Sequence, residues 1–223
     1  MTFDARVPVC VFAKPPIAGE TKTRLARGSL GAEGAARLAR AFFEDTWATV
    51  SALAWARPVL ATTAPDLSAF EPTSDVEVWM QGAGDLGERM GRVLSRAVAE
   101  AGRGMVIGAD LPGLPRGHLD MAREALARQE AVLGPTDDGG FYLLGLSRVP
   151  EGLLTDLPWS SPDTFARTEL RLAGAGLTAA RAPPWFDVDV PADLLRLRRL
   201  LAEDPEAAPR TRAALASLAP GWT

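Results

Sequence analysis

Hydrophobic and polar positions along the chain switch repeatedly between two periods. Val7–Ala13 (VPVCVFA) is an almost unbroken apolar run with β-branched residues, the pattern of a strand covered on both faces. From Gly31 to about Leu53 the apolar residues recur at helical spacing, with Ala35, Leu38, Phe42 and Trp47 forming a core-facing stripe. Arg57–Thr63 and Asp75–Met80 read as further strands, the second with period-two alternation. Asp85-Leu-Gly-Glu88 has the form of a capping box and predicts a helix to about Glu100. Gly104–Ala109 predicts a fourth strand, and Pro115 opens a helix to about Arg128.

The alternation continues to the end of the chain. Ala131–Gly134 and Phe141–Gly145 read as strands around the turn Asp137-Asp-Gly-Gly140. A helix follows Ser161-Pro162, then a strand at Leu177–Ala182, an extended Trp185–Asp189, and a helix from Pro191-Ala-Asp193. No repeat or linker interrupts the series. These patterns predict one α/β domain over residues 1–223, with helices on both faces of a mainly parallel mixed sheet and a helical tail from 205.

Composition narrows the function classes. With 223 residues, 47% of them hydrophobic, the chain can bury a substantial core. A net charge of −4 leaves no broad basic face, which argues against nucleic acid as a partner. No apolar segment reaches membrane-spanning length, and the amino terminus lacks a secretory pattern, so a cytoplasmic location is expected. The lone cysteine, Cys10, lies inside the first strand and reads as an inert buried thiol.

Against that acidic background the loop after the first strand stands out. Lys14, Lys22 and Arg24 fall within eleven positions, and Pro15, Pro16 and Gly19 keep the segment from becoming helix. Cations and backbone amides at the carboxyl end of a sheet strand suit a polyphosphate, although the same loop could be merely solvated. Asp110 ends the fourth strand, where open α/β sheets place ligands, and equally resembles a turn residue or helix cap. Asp187 and Asp189 point to one side if their segment is extended, with Val188 and Val190 facing the core. Magnesium takes one or two protein carboxylates together with waters and phosphate oxygens, a demand that Asp110 and Asp189 would meet.

Other patterns carry less. Asp137, Asp138, Gly139 and Gly140 are either a tight turn or an acceptor-binding loop offering backbone amides. Gly82-Ala-Gly84-Asp-Leu-Gly87 matches a dinucleotide fingerprint, but two strands precede it, which argues against that reading and leaves a contact to base or ribose. His118 has no partners for a zinc set, and Ser160 and Ser161 lack a nucleophile-elbow context. Trp159 and Trp185 sit at junctions where they could line a cleft.

Taken in order, Val11-Phe-Ala-Lys14-Pro, Gly19–Leu25, Gln81–Met90, Gly108-Ala-Asp110-Leu-Pro112, Leu133–Gly145, Pro158–Ser161 and Asp187–Asp193 resemble the nucleotide-diphospho-sugar transferase superfamily of GT-A-type fold. They are most similar to bacterial glycosyltransferase-like proteins associated with radical-SAM and selenium-domain proteins. Molybdenum-cofactor nucleotidyltransferases and the phospholactate guanylyltransferase are related.

The resemblance implies phosphate binding by Lys14, Lys22 and Arg24, and a Mg2+ or Mn2+ ion on Asp110 and Asp189. It extends the nucleotide site to Ala13, Gly19, Gln81, Gly84, Asp85 and Leu86, and assigns catalysis to Lys22, Arg24 and Asp110. Where the family pattern has Thr and Cys beside the central Asp, this chain has Ala109 and Leu111. The expected activity is transfer of a nucleotidyl group from a nucleoside triphosphate to a small phosphorylated or hydroxylated acceptor. Glycosyl transfer from a nucleotide sugar and nucleotide binding without turnover are the alternatives.

Overall fold

The computed structural model describes residues 6–27, 30–70 and 76–218. Asp75, the predicted start of the third strand, and the last five residues of the tail lie outside that set. In chain order the elements are β1 (Val7–Ala13), α1 (Gly31–Ser51), β2 (Ala56–Thr62), β3 (Glu77–Met80), α2 (Leu86–Ala101), β4 (Gly104–Gly108) and α3 (Arg116–Arg128). They continue with β5 (Ala131–Pro135), β6 (Phe141–Leu146), α4 (Thr164–Gly174), β7 (Ala179–Arg181), α5 (Asp193–Glu203) and α6 (Pro209–Ser217).

The strands form one seven-stranded sheet in the order β3-β2-β1-β4-β6-β5-β7. β1 runs parallel to β2 and β4, β2 to β3, and β5 to β7, while β6 is antiparallel to both its neighbours. A mixed, mainly parallel sheet is therefore what the continuous apolar runs encode. Both faces are covered, as such runs require. Val9, Val11, Met105 and Ile107 pack under α1 and α3, and Cys10, Val59, Val106 and Leu144 under α2 and α4. Leu38 and Phe42 turn the far side of α1 towards Leu194 and Leu197 of α5 and Leu215 of α6.

The strand order reverses direction between β1 and β4. Ligands in open α/β folds bind outside the carboxyl ends of strands at such a point. Lys14 follows β1 there, and Asp110 stands two residues beyond β4.

Some boundaries moved for physical reasons. The strand expected over Leu177–Ala182 contracts to Ala179–Arg181, because the Leu177 N–H bonds back to the Leu172 carbonyl at the end of α4 instead of joining the sheet. Val190 does not join the core as Val188 does: its N–H is taken by the Asp193 carboxylate, which bends the segment towards α5. Pro115 caps α3 rather than occupying its first turn. The capping box at Asp85 forms in full, each partner accepting from the other's backbone N–H.

Candidate active site

The turn after β1 puts Lys22 in an unusual place. Its backbone has φ 48°, left-handed and disfavoured for any residue with a Cβ, and its carbonyl accepts from Ala26 to close the following turn. The side chain runs inward with only 6% of its surface exposed. Its ammonium bonds Asp110 Oδ2 at 2.7 Å and also Asp189 Oδ1, 167 residues away. Two carboxylates reached by one ammonium share a common point in space.

Backbone bonds fix both acids. Val188 N–H donates to the Asp110 carbonyl at 3.2 Å, joining the two acid-bearing segments directly. Thr46, buried on α1, donates to the Ala109 carbonyl at 3.1 Å. The N–H groups of Asp189 and Val190 both donate to Asp193 Oδ2 at 2.8 Å, so the first residue of α5 holds the Asp189 backbone.

The charges respond to this crowding. Burial works against the Lys22 ammonium, but Asp110 and Asp189 outweigh it and raise its pKa. Burial raises the Asp110 carboxyl in spite of Lys22. Burial also opposes ionisation of Asp189, yet the charge and hydrogen bond of Lys22, with a bond from the Asp187 carboxyl, hold it below the ordinary range. Asp187 is pushed up to about 7 by burial, then by Asp189 and Asp138. One acid of the neighbouring pair is thus ionised near neutrality while the other exchanges its proton there.

A cleft of about 380 Å³ opens above this trio. Of the residues that the sequence reading put in the nucleotide and metal sites, Ala13, Lys14, Lys22, Arg24, Gln81, Leu86, Asp110 and Asp189 line it. Arg89, on the first turns of α2, lines it too and was not anticipated; its Nε also donates to the Gly84 carbonyl at 2.8 Å. Gly19, Gly84 and Asp85 do not line it. Gly19 supplies a turn at φ 84°, Gly84 another at φ 106°, and Asp85 is occupied by the α2 cap. Gln81 is buried, with its amide committed to the Ala61 carbonyl. The glycine fingerprint is therefore structural, and Gly87 meets the Leu154 carbonyl so closely that a Cβ would lie 2.0 Å from it.

A second cavity of about 250 Å³ lies on the other side of Asp189, sharing Phe12, Leu86 and Asp189 with the first. Asp138 and Gly140 line it as the acceptor reading required, but Asp137 and Gly139 do not. Asp137 pairs with Arg196 on the surface, and Gly139 is pressed under the Pro162 backbone. Trp159, Ser160 and Ser161 complete the wall, with Ser160 left-handed at φ 57°. No sequence signal betrays that backbone conformation in a serine.

The donor set suits a hard divalent cation: two carboxylates whose oxygens already converge on one positive charge. No group of three His, Cys, Asp or Glu among the described residues is arranged to hold a metal without substrate or water. None of the described helices is long and apolar enough to cross a membrane.

Among solved structures the chain is similar to a Desulfovibrio desulfuricans protein provisionally described as a nucleotide-diphospho-sugar transferase. The two are 27% identical, with 94% of this chain and 93% of that one covered, at a TM-score of 0.84. A CMP:2-keto-3-deoxy-manno-octonic acid synthetase complexed with CTP matches at 13% identity over 89% and 99% of the two chains, with a TM-score of 0.58. The 4-diphosphocytidyl-2C-methyl-D-erythritol synthase of Anaerococcus prevotii matches at 9% over 90% and 98%, also with a TM-score of 0.58. At those identities the last two establish the fold alone, which is that of the nucleotide-diphospho-sugar transferases. No curated protein matches the sequence. The family profile described as "Uncharacterized protein conserved in bacteria (DUF2064)" matches residues 46–161, a span that contains Asp110 and Asp138 but neither the basic turn nor Asp189. Because that match covers more than half of the chain, the protein belongs to the DUF2064 family.

Proposed function

We propose that this protein is a divalent-cation-dependent transferase acting on a nucleotide-activated donor. The carrying observation is the buried Lys22 ammonium bridging Asp110 and Asp189 at the foot of a cleft walled by Lys14, Arg24 and Arg89. That distribution suits a polyphosphate laid along the cations with its reacting phosphorus near the two acids. Asp110 and Asp189 would hold the ion, which supplies charge neutralisation at phosphate oxygens when bound. Lys14, Arg24 and Arg89 bind and orient the donor phosphates. Lys22 competes with the ion for the same carboxylate oxygens, and so becomes available to phosphate when the ion is present.

The first reading is nucleotidylyl transfer. An acceptor oxygen forms a bond to the α-phosphorus of a nucleoside triphosphate and loses its proton. The bond from that phosphorus to the bridging oxygen breaks, and its electron pair leaves with pyrophosphate. Such chemistry rests on positioning and charge neutralisation, which suits a site lined by no His or Cys among the described residues.

The second reading is favoured by the likeness to the Desulfovibrio protein over nearly the whole chain. Here the acceptor oxygen forms a bond to the anomeric carbon of a nucleotide sugar and loses its proton, while the carbon–oxygen bond to the β-phosphate breaks and its electron pair leaves with the nucleoside diphosphate. Thermal shift across nucleoside triphosphates and nucleotide sugars, with and without Mg2+, tests the common part. Identification of pyrophosphate or nucleoside diphosphate as the product separates the two. A protein stabilised by none of them, with no Mg2+ effect, would overturn both.

A further inference from the structure

We infer that the second cavity takes a small, uncharged, phosphate-free compound presenting hydroxyl groups, such as a free sugar or polyol, as the acceptor; this rests on the transferase reading above. The argument is a charge asymmetry across Asp189. On one side four cations, Lys14, Lys22, Arg24 and Arg89, stand beside the acids Glu20 and Asp110. On the other, the described residues lining the cavity include no Lys, Arg or His, but three acids, Asp138, Asp187 and Asp189. A phosphate group needs cations or free N–H donors.

The Trp159 Nε1–H has no partner but is buried from solvent, and the backbone offers few donors. The Gly140 N–H is taken by Asp138 Oδ1 at 3.0 Å, and the Ser161 N–H faces the Thr164 hydroxyl at 3.3 Å. What remains suits hydroxyl groups: carboxylate oxygens to accept from O–H and the Ser161 O–H to donate, its oxygen already accepting from the Asp163 N–H at 3.3 Å, beside the rings of Phe141 and Trp159, which meet edge to face at 6.1 Å between centroids. At about 250 Å³ the cavity falls just below the roughly 300–1,000 Å³ of pockets for drug-sized ligands, so the compound is small. Asp189 belongs to both walls, which sets a hydroxyl in this cavity against the phosphates in the other. The phosphorylated acceptors that the sequence allowed are thereby set aside.

The test uses matched pairs: glucose against glucose phosphate, ribose against ribose phosphate, and glycerol against glycerol phosphate. Each is offered to the full-length protein with Mg2+ and a panel of nucleoside triphosphates and nucleotide sugars. Saturation-transfer NMR reads binding and released pyrophosphate or nucleoside diphosphate reads turnover. The free compound of at least one pair should be favoured by at least about 100-fold, since like charges meeting at an interface are strongly penalised. Ser161→Arg should narrow that preference about 10-fold without altering nucleotide protection in thermal shift.

Preference for the phosphate ester, or binding of neither member of any pair while nucleotide still protects, overturns the acceptor inference alone. Loss of nucleotide protection in the wild-type protein overturns the transferase reading itself.

Discussion

Lys22 joins the two halves of the site: its strained backbone aims the ammonium, and its charge holds two acids that would otherwise repel. Lys22→Ala should therefore reduce turnover at least about 100-fold, the scale for losing a preorganised charge partner. It should also lower the melting temperature in chelated buffer, with Mg2+ recovering part of that loss and stabilising the wild-type protein less. Equal Mg2+ shifts in both proteins would remove the case for a shared cation. Asp193 is a positioning residue, because it binds the Asp189 backbone and lines neither cavity. Asp193→Ala should weaken Mg2+ dependence or activity by about 10- to 100-fold, as support residues of metal sites do, and Asp193→Asn should restore much of it. A Mg2+ titration of activity, read as an apparent affinity against a maximal rate, separates this role from a loss of folding.

At the scale of elements, two helices are fastened by acids. Asp85 caps α2, whose first turns carry Leu86 and Arg89 into the cleft. Removing that carboxylate in Asp85→Ala should cost about 1 kcal/mol of stability in denaturant unfolding. Asp45 is buried on α1 and accepts from the Arg210 and Thr211 N–H groups at 3.1 and 2.8 Å, capping α6 from a distant part of the chain. Asp45→Ala leaves those donors unpaired and should cost about 1.5–3 kcal/mol, the range for hydrogen bonds to charged groups. Hydrogen exchange should show the loss concentrated in α6. Uniform loss across the sheet would contradict that assignment. The Asp85 box was legible because both partners lie within four residues, whereas the Asp45 cap spans 165 positions and leaves no local pattern.

For the molecule as a whole, Tyr142 links the sheet to the segment leading to the site. Its hydroxyl donates to the Pro183 carbonyl at 2.9 Å, and burial raises its pKa well above the ordinary tyrosine value. In the unfolded chain the phenol ionises near pH 10. Above that pH the unfolded state has lost the phenolic proton that the folded state keeps, so the contribution of Tyr142 to stability is full below about pH 10 and falls as pH rises. As the only tyrosine in the chain, its phenolate absorbance should appear together with unfolding rather than before it. Tyr142→Phe should be slightly less stable at neutral pH and lose the share of the alkaline dependence that begins near pH 10, while the buried Cys10 thiol, also raised by burial, keeps the share that begins lower. Early titration of the phenol in the native protein would contradict its burial.

Local pattern was enough for the α/β alternation and for the sheet faces, and it singled out Lys14, Lys22, Arg24, Asp110 and Asp189, which line the first cleft. Strand and helix periods, proline and glycine punctuation, and the clustering of Lys14, Lys22 and Arg24 are all short-range properties of the chain. Folding alone decided that the β6 strand runs against its neighbours, that Asp110 and Asp189 meet on Lys22, and that Asp138 and Asp137 part company. It also brought Arg89 and Trp159 to separate walls of adjoining cavities. These outcomes depend on strand order and on backbone bonds between remote segments, such as Val188 to Asp110, and no window of sequence contains both ends of such a bond.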